Sequence, residues 1–204
     1  MSNTGKFFVL EGLNGCGKTT VMKRLREDFP EALFTREPGG SPFGEKIREI
    51  LLSDVAKDES SLTHLLGFWA SRSSHFDKVI VPALRQNQTV FSDRFDASSY
   101  AFQVVASRNY CLESLFFQMR DMVFSGIVLP RYIYLETHIQ TAMARANQKS
   151  KDHFDSRNPN YQTAVARGYE RFFHDKRIFS PVSFVDAEQD RDAVYEDVLS
   201  IIRE

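Results

Sequence analysis

An α/β fold, with a doubly wound five-stranded parallel sheet flanked by helices, follows from three features of the chain. Short apolar runs alternate with longer segments of helical periodicity throughout. The first run opens into a glycine-rich turn, and no linker or internal repeat breaks the alternation. Strands separated by helices pair in parallel through right-handed crossovers. The 204 residues then form one domain, 1–204, with a short lid at about 148–158.

The first strand is Phe7 to Leu10, four consecutive apolar residues. It runs into FFVLEGLNGCGKTT, where Gly12, Gly17, Lys18 and Thr19 have the spacing of a P-loop, so the fold is of the P-loop NTPase type. Glycines let backbone N–H groups close around phosphate oxygens, and the next helix aims its positive end at the same anion. Gly12, Asn14, Gly15, Cys16, Gly17, Lys18, Thr19 and Thr20 are therefore the expected ATP-binding loop. Lys18 should reach the β and γ phosphates, and Thr19 should hold Mg²⁺. A helix from Thr19 to Phe29 carries Val21, Met22 and Leu25 on one face and stops at Pro30.

Ala32 to Thr35 is the second strand, and its C-terminal end meets Arg36-Glu37-Pro38-Gly39-Gly40. Open α/β sheets bind ligands at such strand ends. Pro42 to Ser53 is helical through Phe43, Ile47, Ile50 and Leu51. Ser60 to Gln86 is a longer helix whose stripe serves as core or subunit interface, with Pro82 bending or fraying its end. The third strand, Thr89 to Ser92, ends in Asp93-Arg94, and a carboxylate there is the expected Mg²⁺-side acid. Helices follow at Ser98 to Ala106 and Leu112 to Phe124, a strand at Tyr132 to Leu135, and a helix at His138 to Gln148. The polar stretch Lys149 to Pro159 reads either as a solvated loop or as a cationic lid. A phosphotransferase must exclude water, which favours the lid. Tyr161 to Phe173 is a helix, Val182 to Val185 the fifth strand and Asp190 to Ile202 the closing helix.

Composition narrows the function. The 26 Lys and Arg balance 27 Asp and Glu, and a net charge of −1 argues against general nucleic-acid binding. No apolar run can span a bilayer, and the first strand begins too early for a cleaved signal, so a cytoplasmic protein is expected. Cys16 and Cys111 form neither a disulfide framework nor a zinc site. Cys16 reads as a small residue in a tight loop rather than as a reactive thiol. Of the five histidines, only His153 carries a signal.

GLNGCGKTT, TREPGG at 35–40, FWASR at 68–72, SDRFDASSYAFQ at 92–103 and VARGY at 165–169 together resemble the thymidylate kinase family, in its order and over most of the chain. The resemblance implies a homodimeric enzyme that passes the γ-phosphate of ATP to dTMP with Mg²⁺. It places Arg36 and Arg94 on the acceptor phosphate, a role their forked guanidinium groups suit. By the same resemblance Phe68 stacks on thymine and Arg72, one helical turn on, reaches its O4. An arginine offers only donors, which fits thymine and opposes the amino group of cytosine. Ser99, Phe102 and Gln103 complete the implied dTMP site. Arg145 covers adenine, near Asp186 and Ala187, and Asp93 joins Thr19 at the metal.

Departures from the family pattern matter too. Asn14 stands where an acid is usual and Phe102 where a tyrosine is usual, both near the deoxyribose. Gly15 replaces a P-loop arginine, so the implied catalytic cations are Lys18 and Arg94 with a lid group: Lys149 first, then His153, Lys151 or Arg157. A deoxynucleoside monophosphate kinase of wider range is the nearest alternative. A non-catalytic P-loop regulator is less consistent, since the chain has no guanine-reading NKxD and would leave the acceptor-side arginines without a purpose.

Overall fold

The computed structural model describes residues 5–124, 129–146 and 159–204. The predicted lid lies outside the described residues, and with it Lys149, Lys151, His153 and Arg157. Among the described residues the sheet has five parallel strands, as the sequence predicts, and they pair in the order β2-β3-β1-β4-β5. They are β1 (Phe7–Glu11), β2 (Leu33–Arg36), β3 (Val90–Asp93), β4 (Arg131–Glu136) and β5 (Val182–Asp186). Strand β1 is central and wholly buried, as expected of a strand covered on both faces.

Alternation along β1 separates two cores. Phe7 and Val9 face a large cluster with Trp69, Phe95, Tyr100, Phe116, Tyr132, Tyr169 and Phe172. Phe8 and Leu10 face the opposite cluster with Val21, Leu25, Phe91, Val198 and Ile202. Helices α1 (Lys18–Asp28) and α9 (Arg191–Arg203) cover the second face. Helices α3 (Ser61–His75), α6 (Leu112–Phe124) and α8 (Pro159–Phe173) cover the first. Each of these aromatic side chains, wholly buried, contributes on the order of 1.5–3 kcal/mol of transfer free energy.

Several helices differ from their sequence-based form. The predicted helix Ser60 to Gln86 is three consecutive pieces: α3, a π-helical segment at Phe76–Ile80, and α4 (Val81–Arg85). Pro82 lacks an N–H and crowds the preceding turn, so the wider turn just before it takes up the mismatch. Likewise the helix expected from Ser98 starts at Asp96 as α5 (Asp96–Ser99) and widens into a π-helical segment at Tyr100–Ala106. Helix α2 is Pro42–Leu51, opened by Ser41, whose hydroxyl accepts from Gly44 N. Its Phe43 and Ile50 are 55% and 56% exposed, and Leu62 and Leu66 of α3 are also exposed.

Register brings the informative strand tips to one edge. Asp93 pairs with Leu10 of β1 and with Arg36 of β2, and Glu11 pairs with Tyr134 of β4. The chain leaves β1 toward β2 and β3 and returns on its other side with β4, so the turn after β1 lies at the topological switch point.

Candidate active site

The turn after β1 is held by its own lysine. Lys18 Nζ donates to Gly12 O at 2.9 Å and Leu13 O at 3.0 Å, with Cys16 Sγ at 3.5 Å. Cys16 is buried, the arrangement of a small packing residue. Gly15 answers a second question raised by the sequence. Its φ is +90°, and a Cβ there would sit 2.1 Å from Ala142 O in α7 (Ile139–Ala146). No side chain, an arginine included, fits at that point without moving α7.

A cavity of about 450 Å³ opens beside this loop. Among its walls are Gly15, Lys18, Thr19, Asp93, Arg94 and Arg145. The Oδ1 of Asp93 is buried without a partner among the described residues, an acceptor well suited to a hydrated cation. Arg145 Nη1 donates to Ala187 O at 3.2 Å, which joins the two segments expected around adenine.

Arg94 sits opposite Lys18 and shares an acceptor with it. Its Nη1 donates to Gly12 O at 3.1 Å, to Ser98 Oγ at 2.9 Å and to Tyr169 Oη at 2.7 Å. Its Nη2 donates to Asn14 Oδ1, and its guanidinium lies 5.7 Å from the centre of the Phe102 ring. The two departures from the family pattern therefore flank one guanidinium. The Arg94 backbone is left-handed, φ +71°, a strained conformation for a residue with a Cβ. Glu11 braces that turn by accepting from Phe95 N at 2.8 Å and Ser98 N at 3.1 Å. Burial raises the Glu11 pKa above its ordinary value, a rise reduced by Arg94, Ser98 and Lys18. Burial works against the charge of Arg94, but Tyr169, Glu11 and Asp93 hold it firmly protonated.

The remaining predicted acceptor residues lie on β2, on α3, on α5 and on the π-helical segment that follows it. Arg36 projects outward, its side chain 56% exposed, and pairs with Glu45 at 3.1 Å. Glu45 also accepts from Gly40 N, and this bond, with Arg36 beside it, lowers its pKa. Arg72 is buried; its Nη2 donates to Phe95 O at 3.0 Å and to Ser99 Oγ at 2.9 Å. It thus contacts the residue next to Arg94. Gln103 is buried, whereas Phe68 is partly buried against the large core. Sequence reasoning missed Glu11, Glu37, His75 and Tyr169. Glu11 lies inside the quoted P-loop string and Tyr169 inside VARGY, yet nothing local signals what they bond.

A glycine-rich phosphate loop at the switch point, with a lysine and an arginine meeting over one carbonyl, defines a P-loop phosphotransferase. The thymidylate kinase family model matches residues 10–198. The thymidylate kinases of Mycoplasma capricolum and Acinetobacter baumannii strain SDF are each 34% identical to the chain. Those alignments cover 97% and 96% of this chain and 94% and 99% of the relatives. A crystal structure of thymidylate kinase from Ehrlichia chaffeensis superposes with a TM-score of 0.74 at 26% identity, over 98% of this chain and 99% of that one. The chain belongs to the thymidylate kinase family, and is accordingly an ATP-dependent nucleoside monophosphate kinase, a transferase.

Proposed function

We propose that the chain, as one domain, transfers the γ-phosphoryl group of ATP to dTMP, giving dTDP for dTTP synthesis, in the cytoplasm and as a homodimer. The observation that carries this reading is the Gly12 carbonyl shared by Lys18 Nζ and Arg94 Nη1. Two cations converging on one backbone oxygen suit two anions meeting end to end. A nucleoside monophosphate has a second phosphate pKa near ~6, so at neutral pH it is already a nucleophilic dianion. No general base is required, and the catalytic work is positioning and charge stabilisation.

In this reading the loop from Gly12 to Thr20 cradles the donor phosphates, with Lys18 on the migrating group. Arg36 and Arg94 hold the acceptor phosphate, Phe68 and Arg72 its base, and Ser99, Phe102 and Gln103 the remaining contacts. Lys149 or His153 of the lid supplies a further cation. Thr19 and Asp93 would hold Mg²⁺, which, when bound, neutralises polyphosphate charge. Exposed Phe43, Ile50, Val55, Leu62 and Leu66, on α2, α3 and the turn between them, support the dimer. No described helix is long and apolar enough to cross a membrane.

The direct test is ADP formation from ATP with dTMP, dUMP, dCMP or dGMP as acceptor. The expected result is a kcat/KM for dTMP at least about 100-fold above that for dCMP. Equal use of the four would support the wider kinase, and no ADP from any of them a nucleotide-binding regulator. For the metal, D93N should raise the Mg²⁺ concentration at half-maximal rate about tenfold and lower kcat about 30-fold. Calorimetric titration should show the same variant losing Mg²⁺-dependent ATP affinity while metal-free ATP binds as before.

A further inference from the structure

Helix α3 fastens the segment after β2 with four side chains. Gly39 N donates to Ser71 Oγ at 3.0 Å, and the Ser74 and Ser41 hydroxyls meet at 2.9 Å. The other two converge on one carboxylate. Glu37 Oε2 accepts from Arg72 Nε at 2.7 Å, and Oε1 pairs with His75 Nδ1 at 3.0 Å. The opposite ring nitrogen of His75, Nε2, lies 2.7 Å from Thr35 Oγ1. Glu37, Arg72 and His75 are exposed by only 5%, 1% and 0%.

This carboxylate decides which N–H groups of Arg72 are engaged. Nε is taken by Glu37, and Nη2 by Phe95 O and Ser99 Oγ. Nη1 is buried with no partner among the described residues. A buried guanidinium N–H without an acceptor is costly, so its retention points to a ligand that accepts there. Without His75, Oε1 of Glu37 is freed to compete with Phe95 O and Ser99 Oγ for the guanidinium. The fork then turns, and Nη1 loses its fixed direction.

Room for the imidazole is kept by the backbone itself. A Cβ on Gly40, whose φ is +78°, would lie 2.3 Å from both His75 Cδ2 and His75 Nε2. The second glycine of TREPGG is thus required by the ring packed against it. One histidine thereby couples the strand tip that carries Arg36 to the helix that carries Arg72.

We propose that His75 is a positioning residue for acceptor-base selection: through Glu37 it fixes the Arg72 guanidinium so that Nη1 is the donor left for a carbonyl oxygen of the base. The inference rests on Arg72 being the base-reading arginine. H75L, close in volume but without donors, should lower kcat/KM for dTMP about 10- to 30-fold, mostly through the dTMP KM. The preference for dTMP over dCMP should shrink about tenfold, with the ATP KM unchanged. H75N, whose amide can replace Nδ1, should restore most of both. T35V removes only the hydroxyl at Nε2 and should shift the preference the same way by about threefold, which keeps the test available should H75L fail to fold.

An unchanged dTMP preference in H75L and T35V, an ATP KM that rises in step with the dTMP KM, or an H75N no better than H75L overturns the proposal. The two assignments fail separately. A wild-type enzyme without dTMP preference defeats the role of Arg72 and the proposal with it. A wild type and an H75L that prefer dTMP equally defeat only the role of His75.

Discussion

Replacing Lys18 by methionine should lower kcat about 1,000-fold, a loss of about 4 kcal/mol of transition-state stabilisation, while the dTMP KM should stay within about threefold. Methionine keeps the stem and its packing but none of the ammonium donors. In the structure those donors rest on Gly12 O and Leu13 O, at the mouth of the loop and beside the cavity. Phosphoryl transfer spreads charge over the migrating oxygens, and a fixed ammonium there acts most strongly in the transition state. Stability should suffer little, about 1 kcal/mol, because Gly12 O keeps its bond from Arg94 Nη1. Steady-state kinetics with a urea unfolding curve on the same preparation separates the two effects. A kcat within tenfold of wild type would remove Lys18 from the chemistry.

That Lys18 and Arg94 are legible in the sequence, while the contacts they share are not, reflects the range of the physical signals. Five strands and their order along the chain follow from local apolar periodicity, and the P-loop from four residues in a short span. The widened turns at Phe76–Ile80 and Tyr100–Ala106 have no such signature beyond Pro82, because a helical stripe looks alike with one extra residue per turn. Apolar positions at Phe43 and Ile50 define a helix face but not whether the same chain covers it. The contacts that shape the site join distant residues: Glu37 with His75, Asn14 with Arg94, and Tyr169 with Glu11. Such pairs arise only once the strands are in register, so a string of residue types holds the participants and not the pairing.

The same long-range pairing makes Arg94 the second large effect, since its guanidinium serves both the reaction and the fold. R94Q should lower kcat/KM for dTMP about 1,000-fold, because a neutral amide supplies neither the charge nor the fork that suits a phosphate dianion. It also strips a cation from Glu11, which is 0% exposed and lies 3.8 Å from Arg94 Nη1. Breaking a buried pair on one side costs about 3–5 kcal/mol, and here the cost should depend on pH. Burial already raises the folded-state pKa of Glu11 above its unfolded value, and loss of Arg94 raises it further. A carboxyl group shifted upward binds its proton more tightly in the folded chain. Its contribution is therefore fully present below the unfolded pKa and lost as pH rises through the folded one. The R94Q penalty should accordingly be smaller at pH 5 than at pH 8, measured as the difference from wild type in urea unfolding. R94K restores a charge without the fork, so it should recover most of the stability at pH 8 but little of the activity. An R94Q penalty equal at both pH values would show that Glu11 does not depend on this arginine, and an active R94K that the acceptor phosphate needs only a point charge.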